Sequence, residues 1–219
     1  MALSERVKPY RDSSLFVLGL EGEVSGAEYQ YFMRVMELDA LDHRRVRFVM
    51  LPTPVERHDS DPQAVMRRVE EYTAANDLQR FDRVWLLLDT DSWGPKKLSE
   101  VAQQARTRKF SLALSNPCFE IWLIMHHDVC DSGPIVTAAE RRRSAVAKST
   151  WRGGKAAIST DGILRACGSA RRLADSDGPS ARWPSCPGSG VYLLFEDLAA
   201  RQAWRAGAST HRLRPSFKS

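Results

Sequence analysis

Three short apolar runs, each leading into carboxylates, constrain this chain more than any other feature. Leu15-Phe16-Val17-Leu18-Gly19-Leu20 runs into Glu21-Gly22-Glu23, and Val84-Trp85-Leu86-Leu87-Leu88 runs into Asp89-Thr90-Asp91. Leu112-Ala113-Leu114 leads into Ser115-Asn116-Pro117-Cys118-Phe119-Glu120. Such runs read as buried parallel strands whose C-terminal ends open into a crevice, where α/β sheets place their ligands. Acids that converge on one edge repel one another and resist desolvation unless a cation sits among them. All-oxygen ligation suits Mg²⁺ or Mn²⁺, which points to metal-assisted chemistry on phosphates.

Between these runs the pattern alternates. A strand at 15–20 precedes a helix near 27–38, with Tyr29, Phe32, Met33 and Met36 on one face, and a second strand near 46–51 ends at Pro52. A helix at 64–76 presents Val65, Val69 and Tyr72 along one side. The third strand spans 84–88, followed by a helix at 97–108, a fourth strand at 110–114 and an apolar helix from Pro117 to about His126. Strand–helix alternation implies right-handed crossovers and a parallel sheet. After His127 the chain turns rich in Ser, Gly, Arg and Ala, with helical patches at 135–148 and 161–173, a loop at 176–190 and an amphipathic helix at 191–206. The expected organisation is an α/β core over 13–127 and a mostly helical region over 128–219 that packs back on it. Val191, Leu194, Leu198, Ala199 and Trp204 form the stripe that does so, with Trp183-Pro184 anchoring the loop before them.

Composition narrows the class. No apolar run approaches the roughly 20 residues that a membrane span requires, and the N-terminal residues lack a basic region followed by an apolar stretch, so no secretory signal is expected. The four cysteines show no close pairing, as in a reduced cytoplasmic protein without structural zinc. Only seven of the 32 basic residues are lysine. Arginine pairs bidentately with phosphate, although a GC-rich genome raises arginine just as well.

Asp89-Thr90-Asp91 carries most chemical weight, because two residues apart on an extended backbone both side chains point the same way. A turn or helix cap is the alternative. Ser115 or Asn116 could cap a helix beginning at Pro117, with Glu120 in its first turn either closing a capping box or facing the metal. Gly22 permits a tight turn beside Glu21. His126-His127 at a helix end read as structural. Trp151-Arg152-Gly153-Gly154-Lys155 lacks both the earlier glycine and the Ser/Thr of a phosphate loop.

Taken together, these runs resemble the RloB-like family, small proteins with a Toprim-type catalytic fold associated with restriction and antiphage loci. The resemblance rests on Glu21-Gly22, on Asp89-Thr90-Asp91 after a strand carrying Trp85, on Ser115–Leu123, and on Trp183-Pro184 leading to Pro187-Gly188-Ser189-Gly190-Val191-Tyr192-Leu193-Leu194. It departs from the pattern at Ser25-Gly26, where Thr-Glu is expected, leaving Glu23 or Glu28 as substitutes. The resemblance implies a Toprim-like four-stranded parallel sheet flanked by helices, with a mostly helical C-terminal region. It also implies a Mg²⁺- or Mn²⁺-dependent nuclease acting on DNA or RNA, including tRNA, beside a possible ATPase partner.

The roles follow. Asp89 and Asp91 hold one or two metals, Glu21 completes the ligand set or acts as general base, and Glu120 supports them, with Gly22, Ser115 and Asn116 shaping the site. Arg141, Arg142, Arg143, Arg152 and Lys155, with the arginines of 165–172, form the candidate nucleic-acid surface, and its affinity is expected to fall with salt. A homo-oligomer is possible. The rival is a non-catalytic regulatory subunit that keeps the scaffold; a primase-like nucleotidyl transferase ranks below both.

Overall fold

The computed structural model describes residues 13–56, 59–91, 93–126, 158–178, 183–184 and 187–205. Their elements are β1 (Ser14–Leu20), α1 (Ala27–Met36), β2 (Val46–Leu51), α2 (Pro62–Ala75), β3 (Arg83–Asp89), α3 (Pro95–Arg108), β4 (Ser111–Asn116), α4 (Glu120–Met125), α5 (Thr160–Asp177), β5 (Gly188–Ser189) and α6 (Val191–Ala200). They form one five-stranded sheet in the order β2-β1-β3-β4-β5. The first four strands are parallel and β5 is antiparallel to β4, consistent with the Toprim-like architecture with one strand added at the edge. β1 sends its crossover to β2 on one side and receives β3 on the other. The strand order therefore reverses between β1 and β3, and the crevice at their C-terminal ends is where such a sheet binds ligands.

Alternation along the strands sorts the core into two faces. Phe16, Leu18, Leu20, Trp85 and Leu87 face α1, α4, α5 and α6 in the main cluster. Leu86, Leu88 and Leu114 meet Val65, Met66, Val101 and Ala105 of α2 and α3, while Leu15, Val17 and Val84 pack with Val69. Asp89 continues the parity of Trp85 and Leu87, which directs its side chain toward the α1 face.

The buried side of α1 is Glu28, Tyr31, Phe32 and Val35, sharing only Phe32 with the stripe expected from apolarity. The stripe begins with a buried glutamate, which an apolar count passes over. The helix expected from Pro117 starts instead at Glu120, after a cis Asn116–Pro117 bond, and has no side-chain cap hydrogen bond. Ser115 and Asn116 still belong to β4 and are engaged across the sheet edge, Ser115 Oγ with Ser189 Oγ at 2.9 Å and Asn116 Nδ2 donating to the Pro184 carbonyl at 2.8 Å. Neither is available to cap α4.

At the other end α5 runs on to Asp177, so the expected loop begins later, at Gly178. The last helix stops at Ala200, where Gln202 takes a left-handed φ of 53° and Trp204 forms an antiparallel bridge with Leu41. α6 does pack on the core: Val191, Leu194, Phe195, Leu198 and Trp204 all belong to the main cluster. Asp197 of α6 reaches β3, accepting from Trp85 Nε1 at 3.3 Å and pairing with Arg83 at 3.4 Å. Trp183 packs beside Leu86 and Leu114, in the anchoring place expected of it. Among the described residues no helix is long and apolar enough to cross a membrane.

Candidate metal centre

The backbone at the end of β1 is tied down from two sides. Thr53 Oγ1 donates to the Glu21 carbonyl at 2.8 Å, and Arg68 donates to the Leu20 carbonyl and to Thr53 Oγ1, both at 2.9 Å. The Glu21 carboxylate is then held at both oxygens, Oε2 accepting from the Asp89 backbone N–H at 2.9 Å and Oε1 from the Trp93 indole N–H at 3.0 Å. Lys97 Nζ lies 4.5 Å from the centre of the Trp93 ring and 2.8 Å from Asp61. Its cation thus rests over the indole that orients Glu21.

Glu28 enters from the first turn of α1. Its side chain is buried, and Oε2 accepts from the Gly22 backbone N–H at 2.6 Å. A Cβ at position 22 would collide with that same oxygen, so glycine is what lets the β1 turn close onto the glutamate. Burial, with the negative charges of Glu21 and Glu120 adding to it, pushes the Glu28 carboxyl up to about 8 against the opposing pull of the Gly22 hydrogen bond. Burial likewise raises Asp89 well above the usual carboxylate range, reinforced by Glu28, Glu21, Glu120 and Asp91.

β4 supplies the far wall. The Pro117 carbonyl accepts from the backbone N–H groups of Thr90 and Asp91, each at 3.1 Å. That clamp sets Cys118 and Glu120 against the end of β3, and one ligand atom from each of Asp89, Cys118 and Glu120 lies within 4.8 Å of the others.

Of the residues expected at the site, Glu21, Asp89 and Glu120 therefore come together. Asp91 is exposed beside them and acts on Asp89 through its charge. Gly22 shapes the turn, whereas Ser115 and Asn116 fasten β4 to the C-terminal segment and stand one step back. Glu28 stands in the cluster despite Ser25-Gly26, as one of the two substitutes expected. Sequence reasoning misses Cys118 and Trp93, and only the position of Cys118 two residues before Glu120 points to it.

Arg141, Arg142, Arg143, Arg152 and Lys155 lie outside the described residues. On α5, Arg171 is ion-paired to Glu196 and Arg165 donates to the His126 carbonyl at 3.0 Å, so those two arginines are engaged within the fold. His126 is itself buried, with Nε2 3.1 Å from the Tyr31 hydroxyl, the structural role expected of it.

The donor set suits a hard or borderline divalent cation: several carboxylates share one desolvated crevice where like charges disfavour ionisation, and a cation reverses that cost. A pH dependence follows. Glu28 carries a folded-state value above its unfolded 4.5, so its contribution is complete below about 4.5 and is lost as pH rises through about 8. In a chelator the protein should therefore weaken from pH 5 to pH 8 by a few kcal/mol, since each tenfold difference in proton affinity between the folded and unfolded states is worth about 1.4 kcal/mol. Urea titrations across that range check it; stability flat or rising with pH would show that Glu28 is ionised in the metal-free fold.

A family model described as RloB-like protein matches residues 16–198. No curated protein and no solved structure matches the chain significantly.

Proposed function

Because the chain belongs to the RloB-like protein family, we propose that it is a Mg²⁺- or Mn²⁺-dependent nuclease that hydrolyses phosphodiester bonds of DNA or RNA in antiphage defence. The observation that carries this reading is the cluster of Glu21, Glu28, Asp89 and Glu120 at the topological switch point, with Asp91 at its rim. A bound divalent cation supplies Lewis-acid stabilisation of the charge developing on the phosphate and a more acidic bound water.

The residues divide the remaining work. Asp89 and Glu120 present ligand oxygens across the crevice, Asp91 faces solvent where a phosphate or a second cation approaches, and Glu28 adds a carboxylate below them. Glu21, oriented by the Asp89 N–H and the Trp93 indole, is placed to accept a proton from attacking water. The arginine-rich segment around 141–155 is the proposed backbone-binding surface. The family resemblance further suggests an ATPase partner.

Incubation of the purified protein with Mn²⁺ or Mg²⁺ and mixed DNA and RNA substrates tests the reading. Cleavage should require the cation and fall by at least about 100-fold in Asp89→Ala, the scale for removing a group that stabilises the transition state, with Asp91→Ala also impaired. Cleavage unchanged in both variants would sink the assignment. No cleavage by a protein that binds no divalent cation would favour the non-catalytic regulatory subunit.

A further inference from the structure

We propose that the Cys118 thiol is itself a ligand in the cation site, giving a mixed oxygen and sulfur donor set that selects Mn²⁺ over Mg²⁺; this rests on the reading of the carboxylate cluster as a divalent-cation site. Its sulfur shares with one oxygen each of Asp89 and Glu120 a set of atoms all within 4.8 Å of one another, close enough to reach a single ion. The Cys118 side chain is only 1% exposed, so its thiol is desolvated together with the carboxyl groups near it. A cysteine that serves only as a small hydrophobe is surrounded by hydrocarbon. Cys118 also has an oxygen of Asp89 and one of Glu120 within 4.8 Å of its sulfur.

The chemistry of such a set is specific. Mg²⁺ demands oxygen ligands in a near-ideal octahedron and gains little from sulfur. Mn²⁺ and the later divalent ions accept a thiolate, with affinity rising along the row to Cu²⁺. Coordination replaces the S–H bond by a metal–sulfur bond and releases the thiol proton to water. Cys118 therefore sets which cation the site takes, while the carboxylates set that it takes one.

The full-length metal-free protein, titrated anaerobically with Co²⁺ and by calorimetry with Mn²⁺ and Mg²⁺, tests this. Wild type should show a near-ultraviolet sulfur-to-cobalt charge-transfer band. Cys118→Ser should bind Co²⁺ without that band and lose about tenfold in Mn²⁺ affinity while Mg²⁺ affinity stays within about twofold, since only the softer ion used the sulfur. Should the serine variant fold poorly, Asp89→Asn in the cysteine background gives the second measurement, abolishing the band if sulfur and carboxylate bind one ion. A band that persists in Cys118→Ser, no band in wild type that binds Co²⁺, or a Mn²⁺ to Mg²⁺ ratio unchanged by the substitution overturns the proposal. A wild-type protein that takes no divalent cation overturns the cation site along with it.

Discussion

Asp89→Asn is expected to raise the melting temperature of the metal-free protein at pH 8 and to erase its response to divalent cations. In the metal-free crevice the Asp89 carboxyl is desolvated and faces the negative charges of Glu28, Glu21, Glu120 and Asp91. The unfolded chain ionises it freely, so holding it in the fold costs free energy at pH 8. Asparagine keeps the shape and removes the charge. A gain of about 0.5–2 kcal/mol is expected, the usual scale for one stabilising substitution, and each kcal/mol moves the midpoint by about 2–4 °C in a chain of this size. Wild type, by contrast, should gain about 2.7 kcal/mol from a cation supplied at 100 times its dissociation constant. Both effects stabilise the fold, one by removing the charge and the other by neutralising it, as expected where function is built on a locally unfavourable site. A variant less stable than wild type in chelator would mean that the carboxylate is held chiefly by structural hydrogen bonds.

Phe195→Ala should cost about 3–5 kcal/mol, the range for deleting a buried aromatic ring. Phe195 is fully buried and stacks on Trp122 at 5.5 Å and 15°, on Phe32 at 6.3 Å and 13°, and on Trp204 at 6.2 Å and 23°. It thereby links α6 to α4, to α1 and to the terminal bridge. Domains hold only about 5–15 kcal/mol in total, so the variant should be marginal. Removing residues 190–219 also takes away Val191, Leu194 and Leu198 at about 1.5–3 kcal/mol each, and that protein should not fold. Urea unfolding of Phe195→Ala reads the effect as a lower midpoint with an unchanged slope. A loss below about 1 kcal/mol, under the usual cost of a core truncation, would mean that the α6 face serves a partner rather than this core.

β1 and β3, central in the sheet, are legible because they are buried on both faces and so write nearly uninterrupted apolar runs, whereas the edge strand β2 carries an exposed Arg47 and half-buried residues. β2 matches its expected bounds, and β1, β3 and β4 lie within two residues of theirs. β5 is not legible. Gly188-Ser189 has no strand propensity and is held by pairing with Ser115 and Asn116, while the next residue, Gly190, passes so close to β4 that a Cβ would lie 3.1 Å from the Leu114 nitrogen. Glu21, Asp89 and Glu120 are legible from their places at strand ends. Cys118 is not, because a cysteine beside an apolar helix reads as core until its neighbours are known. The buried face of α1 is misplaced for a related reason: Glu28 occupies a core position through a hydrogen bond from Gly22, and polarity alone marks it as surface.

The central claim is that these carboxylates form a divalent-cation site, and a calorimetric titration of Mn²⁺ into the metal-free full-length protein at pH 8 tests it most directly. Saturable binding that disappears in Asp89→Asn, while that variant remains folded, is the predicted result. No heat of binding and no shift in melting temperature at millimolar Mn²⁺, from a wild-type protein with a cooperative unfolding transition, would contradict it.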